Sequence, residues 1–155
     1  MAEKKKPLKR HAALIPFSRE HHHSLLLGWK IRKGLDKGVS VERIKKYTDW
    51  FFENHIEPHF EEEEKYVFPV LGDEHPQIKK VLAEHRRLKQ LFNKKKDIEK
   101  SLYHIEEELD RHIRFEEREL FQLIQKEATS SELQKIKDIH TEHDFIDNTS
   151  DEFWN

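Results

Sequence analysis

Two stretches of this sequence repeat a pattern of histidine and glutamate that suits metal binding. The first is HFEEEEKYVF at residues 59–68, and the second is HIRFEERELF at residues 112–121. In each stretch a glutamate follows the histidine by four residues, so both side chains lie on one face of a helix. Two such helices packed side by side would direct two imidazoles and two carboxylates to one point, which predicts a metal site.

Each copy of this motif follows a helix that carries a histidine on its apolar face. His85 is followed by apolar residues three and seven positions later, and His22 has the same spacing. This match selects His22 from the three adjacent histidines, with His21 and His23 left open as alternatives.

The predicted ligands are therefore four imidazoles and two carboxylates from four helices. They are His22, His59, Glu63, His85, His112 and Glu116. Burying such groups without partners is costly, and a metal centre removes that cost. Nitrogen and oxygen ligands without sulfur suit iron, manganese or zinc. His55, one turn before His59, and Glu117, five residues after His112, stay open as additional or alternative ligands.

The surrounding sequence predicts the helices that must position these groups. Hydrophobic periodicity, cap residues and turn residues indicate four long helices. They are expected at about residues 18–35, 41–71, 76–93 and 97–126. A shorter fifth helix is expected from a capping box at Thr129 to about His143.

Two details of these helices affect the core. On the first helix, we expect Leu25, Leu26 and Trp29 to face the inside of the protein. Pro58 falls inside the second helix, where proline removes a backbone hydrogen bond and favours a bend just before His59.

The predicted fold class is all-α, a bundle of four long helices with a short fifth C-terminal helix. We expect a basic flexible arm at residues 1–13, the bundle at 14–127, and a C-terminal helix and tail at 128–155 that pack on the bundle. Phe153 and Trp154 are the tail residues expected to be buried. A chain of 155 residues is long enough for one domain with a hydrophobic core.

The composition excludes several classes of function. Cysteine is absent, which excludes disulfides, thiolate metal sites and thiol catalysis. No apolar run approaches the roughly 20 residues of a membrane span, and the basic N-terminus lacks the apolar segment of a signal peptide. The formal net charge of -2 does not call for an anionic partner. We expect a cytoplasmic protein that binds neither nucleic acid nor membrane.

These motifs resemble the hemerythrin-like (HHE cation-binding) family. The resemblance rests on SREHHH at 18–23, AEHRRL at 83–88 and the two repeated stretches, and it covers about residues 14–126. It implies an up-down four-helix bundle around a non-haem centre of two iron ions, bridged by carboxylates and an oxo or hydroxo group, with zinc or manganese less favoured. The four histidines would then be terminal ligands, and Glu63 and Glu116 would be the bridges.

The chain departs from the oxygen-carrying hemerythrins at two points. Lys89 stands where those proteins have a second histidine on the third helix, and the acid of the fourth helix follows its histidine by four residues instead of five unless Glu117 is used. These departures indicate a more open or asymmetric centre that binds or senses dioxygen, nitric oxide or peroxide. One alternative is a di-iron enzyme that consumes peroxide or nitric oxide, or an iron-handling or repair protein. A metal-free interaction module is a further alternative.

Overall fold

The computed structural model describes residues 9–139 and 145–155, and within these ranges the protein contains helices and no strands. The helices are α1 (Ile15–Asp36), α2 (41–70), α3 (Pro76–Phe92), α4 (98–127) and α5 (Ser130–Ile139). The all-α prediction is confirmed. Residues 1–8 of the predicted arm, and the predicted end of the fifth helix near His143, lie outside the described residues.

The two helices that carry the repeated motif change their hydrogen-bonding pattern along their length. α2 has π-helical turns at Phe52–Ile56 and Glu63–Val67, and it ends in a 3-10 turn at Phe68–Val70. α4 has one π-helical turn, at Glu116–Leu120. The first π-helical turn of α2 ends two residues before Pro58, next to the place where the sequence predicted a bend.

The four long helices form an up-down bundle. Along α1 and α2, Lys30 contacts Tyr47 and His21 contacts His59, so these two helices run in opposite directions. The contacts between α2 and α3, between α3 and α4, and between α4 and α1 show the same antiparallel order. Each of the four long helices therefore lies between two antiparallel neighbours.

The core consists of two apolar clusters with buried polar side chains between them. One cluster lies near the loops that join α1 to α2 and α3 to α4, and it includes Leu27, Phe51 and Leu109. The other lies at the opposite end of the bundle and includes Phe17 and Phe121. The apolar clusters close the bundle on both sides of this polar layer.

The C-terminal segments pack against the two apolar clusters. At the start of α5, the backbone N–H of Thr129 donates to Glu132, and the N–H of Glu132 donates to the Thr129 hydroxyl, which confirms the capping box. Leu133 of α5 joins the second apolar cluster. Phe153 and Trp154 are buried in the first cluster, as expected.

The expected inner face of α1 is wrong. Leu25, Leu26 and Trp29 are exposed, Trp29 by 51%, and the buried face of the helix is a different one. That face includes Lys30, which is buried because it donates to Tyr47 and pairs with Asp147 of the tail. Hydrophobic periodicity did not predict this face because several of its buried residues, Ser24, Lys30 and Gly34, are not hydrophobic.

No helix in the described part of the chain has an apolar stretch long enough to cross a lipid bilayer.

Candidate metal centre

Six side chains from the four long helices converge in the polar layer. They are His21, His59, Glu63, His85, His112 and Glu116. All six are buried, and the two glutamates are completely shielded from solvent. Five of these residues were predicted as ligands from the sequence, and the structure brings those five together.

His22 does not join this group, which corrects the choice made from the sequence. Its side chain is exposed, whereas the neighbouring His21 is buried among the other ligands. Adjacent residues on a helix point about 100° apart, so the rotation of α1 decides which histidine faces the bundle axis. His22 was chosen because it aligned with Leu25 and Trp29, and these two side chains lie on the surface.

The six side chains form two groups of four that share both carboxylates. His21 and His59 complete one group and His85 and His112 complete the other, with the candidate ligand atoms of each group within 4.8 Å of one another. Thus α1 and α2 supply one pair of imidazoles, α3 and α4 supply the other, and Glu63 and Glu116 belong to both groups.

Three histidines direct their Nε2 atoms at Glu116. The Nε2 of His112 lies 2.8 Å from one carboxylate oxygen, and the Nε2 of His85 lies 3.4 Å from the same oxygen. The Nε2 of His21 lies 3.0 Å from the other oxygen. Both oxygens of this carboxylate therefore face an imidazole from a different side of the bundle.

Glu63 occupies the equivalent position on α2. One of its oxygens lies 3.2 Å from the Nε2 of His59 and 3.4 Å from the Nε2 of His85. Both carboxylate oxygens are buried, yet neither has a hydrogen-bond partner of good geometry among the described residues. An unsatisfied buried carboxylate is costly, and a cation between the converging oxygens and nitrogens would remove that cost. The residues present therefore fit a metal.

The outer nitrogen of each of these histidines, Nδ1, contacts a second set of glutamates. The pairs are His21–Glu117 at 2.7 Å, His59–Glu20 at 2.9 Å, His85–Glu64 at 3.0 Å and His112–Glu84 at 2.8 Å. Apart from Glu117, these glutamates were missed from the sequence. Each of these glutamates is adjacent in sequence to one of the six converging residues. A search of the positions next to the predicted ligands and their alternatives could therefore have found them.

Glu117 and His55, which the sequence left open as ligands, have other contacts. Glu117 accepts hydrogen bonds from Arg10 at 2.8 Å and Ser18 at 3.0 Å in addition to its contact with the outer nitrogen of His21. Arg10 lies in the segment that the sequence assigned to the arm. The His55 ring lies against Phe51 and other aromatic rings, one turn away from the group.

Without a metal, the neighbouring glutamates favour the protonated form of these histidines. Burial by itself lowers the pKa of His21, but hydrogen bonds to Glu116 and Glu117 outweigh burial and raise the pKa to about 9. Burial is likewise overcome at His85, whose pKa is raised to about 10 by three neighbouring glutamates. The pKa values of the other two histidines are raised for the same reason. Protonated imidazoles thus supply the positive charge that a metal ion would bring.

Comparison with protein families agrees with this geometry. A model described as the hemerythrin HHE cation binding domain matches residues 13–95, more than half of the chain. The chain belongs to this family. Neither the curated proteins nor the solved structures contain a significant match. The matched part of the HHE domain holds α1, α2 and α3, and the geometry adds His112 and Glu116 of α4 to the same site.

Membership of the HHE family and the two histidine–glutamate groups together indicate cation binding. Lys89, which stands where oxygen-carrying hemerythrins have another histidine, lies beside Glu61 and Glu64 and is not a member of either group. Each group in this HHE domain therefore consists of two imidazoles and the two shared carboxylates.

Proposed function

We propose that this protein holds two iron ions in its polar layer and there binds or senses dioxygen, nitric oxide or peroxide. The sharing of Glu63 and Glu116 by two groups of buried ligand atoms carries the proposal. A carboxylate has two acceptor oxygens, so each glutamate can contact two cations. The histidine pair of α1 and α2 would hold one ion, and the pair of α3 and α4 would hold the other.

The donor atoms favour a redox-active pair of ions over structural zinc. Structural zinc is usually a single ion in a closed tetrahedral site, often with cysteine ligands. Here two groups share their carboxylates, and the chain has no cysteine. Imidazole and carboxylate ligands suit iron. Bound iron would supply a change of oxidation state and coordination positions for a small molecule.

The surrounding side chains hold the imidazoles in place and restrict solvent. The ring of Phe60 stacks on His85 at 3.7 Å between centroids, and Phe121 stacks on His21 at 5.4 Å. An open groove of about 500 Å³ between α3 and α4 has Glu84 and His112 in its wall. We propose this groove as the side from which a small ligand approaches the centre.

Metal content and spectrum test this proposal on the same sample. Protein purified without chelators is expected to contain two irons per chain and to show near-ultraviolet absorption bands that change on exposure to oxidant or nitric oxide. Glu63→Ala should lose iron and these bands, because Glu63 belongs to both groups. The exposed Glu61→Ala on the same helix is the matched control and should keep both.

Other results would contradict the proposal. A single zinc ion per chain, or no metal after anaerobic loading with ferrous iron, would exclude the iron pair. Repeated consumption of peroxide or nitric oxide, beyond one equivalent per centre, would instead favour an enzyme at the same site.

A further inference from the structure

The glutamates on the outer nitrogens form a closed ring around the bundle. Each long helix supplies one glutamate to the histidine of the next helix, and α4 supplies one to α1. The contacts run from Glu20 to His59, from Glu64 to His85, from Glu84 to His112 and from Glu117 to His21. Every interface between neighbouring long helices thus contains one contact between the outer nitrogen of a histidine and a carboxylate.

The chain positions of these glutamates explain how the ring arises. On α1 and α3 the ring glutamate directly precedes the histidine of the inner group, as Glu84 precedes His85. On α2 and α4 it directly follows the shared glutamate, as Glu64 follows Glu63. Neighbouring residues on a helix point about 100° apart. When one side chain faces the bundle axis, its neighbour therefore faces the adjacent helix.

We propose that Glu20, Glu64, Glu84 and Glu117 are positioning residues that keep the proton of each histidine on Nδ1 and leave Nε2 free to bind the metal. This inference rests on the proposed iron centre. A neutral imidazole has one N–H and one lone pair, and an ionised carboxylate only accepts hydrogen bonds. Both ring nitrogens face carboxylates, so the cation decides between them: an Nε2 that binds the cation must present its lone pair. The proton then lies on Nδ1, where the outer glutamate accepts its hydrogen bond.

The four contacts differ in their shielding from water. The side chain of Glu117 is 11% exposed and also accepts from Arg10 and Ser18. The side chains of Glu20, Glu64 and Glu84 are 38%, 34% and 29% exposed. Because water competes for an exposed carboxylate, we expect Glu117 to orient its histidine most firmly.

Variants of Glu64 test the proposed role, with the exposed Glu61 on the same helix as matched control. Glu64→Ala removes the acceptor for Nδ1 of His85, whereas Glu64→Gln keeps an oxygen but loses the charge. Partners of metal-bound histidines typically contribute about 10- to 100-fold to metal affinity. Competition with a chelator for ferrous iron should show a loss of that size for Glu64→Ala and a smaller loss for Glu64→Gln. Glu61→Ala and Glu61→Gln should match the unmodified protein.

Proton NMR of the ferrous protein supplies a readout that a merely structural role would not change. Each Nδ1–H of a metal-bound histidine should give a shifted signal that disappears slowly in heavy water, because the hydrogen bond protects it. Glu64→Ala should speed the exchange of one such signal, that of His85, and leave the others unchanged. Circular dichroism checks that the variants are folded. If Glu64→Ala does not fold, the proton exchange and iron affinity of Glu64→Gln test the inference.

Two results would overturn the inference, and they differ in meaning. Unchanged iron affinity and unchanged proton exchange in both Glu64 variants would show that the ring does not orient the histidines, while the iron centre would stand. Failure of the unmodified protein to bind ferrous iron would remove the iron centre itself. Glu20, Glu64, Glu84 and Glu117 would then act only as ion-pair partners of protonated histidines.

Discussion

His21 and His22 are identical side chains on one helix with opposite surroundings. His21 is buried between Glu116 and Glu117, and both of its ring nitrogens contact carboxylates. His22 is exposed and lies beside the His23 ring. The rotation of α1 about its axis therefore determines which histidine can bind a metal. Substitutions of His21 and His22 can be compared directly, because the two side chains are identical.

His21→Ala is expected to lower the iron content of the protein, because it removes one of the two imidazoles of its group. His22→Ala should leave iron content and absorption unchanged, since the side chain does not reach the polar layer. Elemental analysis of both purified variants makes the comparison. Iron loss in His22→Ala with retention in His21→Ala would mean that α1 is rotated differently from the structure.

The raised pKa values predict how the metal-free protein responds to pH. A histidine whose pKa rises on folding stabilises the native state below its unfolded pKa, and this stabilisation is lost as pH rises through the folded pKa. For His21 that window runs from 6.5 to about 9, and for His85 from 6.5 to about 10. The free energy of unfolding of chelator-treated protein should therefore fall between about pH 6.5 and 10.

Urea unfolding at a series of pH values measures this effect. His21→Ala serves as control, because it should show a smaller fall over the same range. A free energy of unfolding that is constant or rises between pH 6.5 and 10 would contradict the protonated state of the metal-free site.

At the scale of helices, the two copies of the motif share a backbone irregularity as well as side chains. A π-helical turn begins at Glu63 on α2 and at Glu116 on α4. Such turns have wider i→i+5 hydrogen bonding and are frequent at functional sites. After each shared glutamate, the residues four and five positions later are both buried, as Leu120 and Phe121 are. Each π-helical turn thus begins with a shared glutamate, Glu63 or Glu116, and leads into residues of the second apolar cluster.

The packing of α1 against the C-terminal tail gives a prediction at the same scale. A Cβ added at Gly34 would lie 2.7 Å from the Phe153 ring and 2.9 Å from Ile44, both buried. Overpacking of this kind typically costs about 1–3 kcal/mol. Gly34→Ala should therefore lower the free energy of unfolding, despite the better helix propensity of alanine.

Gly28→Ala on the same helix is the matched comparison. Its Cβ would come no closer than 3.9 Å to Glu106, an ordinary contact. Replacing a mid-helix glycine by alanine should then stabilise the protein by about 0.5–1 kcal/mol. Thermal or urea unfolding of the two variants should give shifts of opposite sign. Equal shifts would show that Phe153 does not pack against α1.

At the scale of the whole molecule, a layer of charge separates two apolar clusters. Each of the four buried histidines touches carboxylates at both ring nitrogens, so removing one group leaves others unpaired. Metal bound only by the native arrangement must stabilise the whole bundle, by about 2.7 kcal/mol at a free concentration 100 times the Kd. The metal centre and the fold are therefore linked.

This linkage predicts opposite pH responses for the two forms of the protein. Iron should raise the melting temperature near neutral pH, and binding should release protons because the histidines must become neutral. Acidification should release iron and remove the gain in stability. Melting curves and iron retention across pH 5–8, with chelator-treated protein as control, check the expectation. A metal-dependent gain that persists at pH 5 would contradict histidine ligation.

The sequence by itself determined what depends on local spacing. A glutamate four residues after a histidine lies on the same helix face whatever the rest of the chain does, so His59, Glu63, His112 and Glu116 could be found without coordinates. The capping box at Thr129 is equally local, since its hydrogen bonds span only three residues. The helices and the fold class followed from the same short-range patterns.

Only the tertiary structure decided what depends on contacts between distant residues. The rotation of α1 is coupled to the burial of Lys30 with Asp147, 117 residues away, and this rotation brings His21 inward in place of His22. The ring of glutamates joins residues between 21 and 96 positions apart, as in His85–Glu64 and His21–Glu117. Such pairs have no fixed spacing in the chain, because the packing of separate helices, and not the geometry of one helix, brings them together.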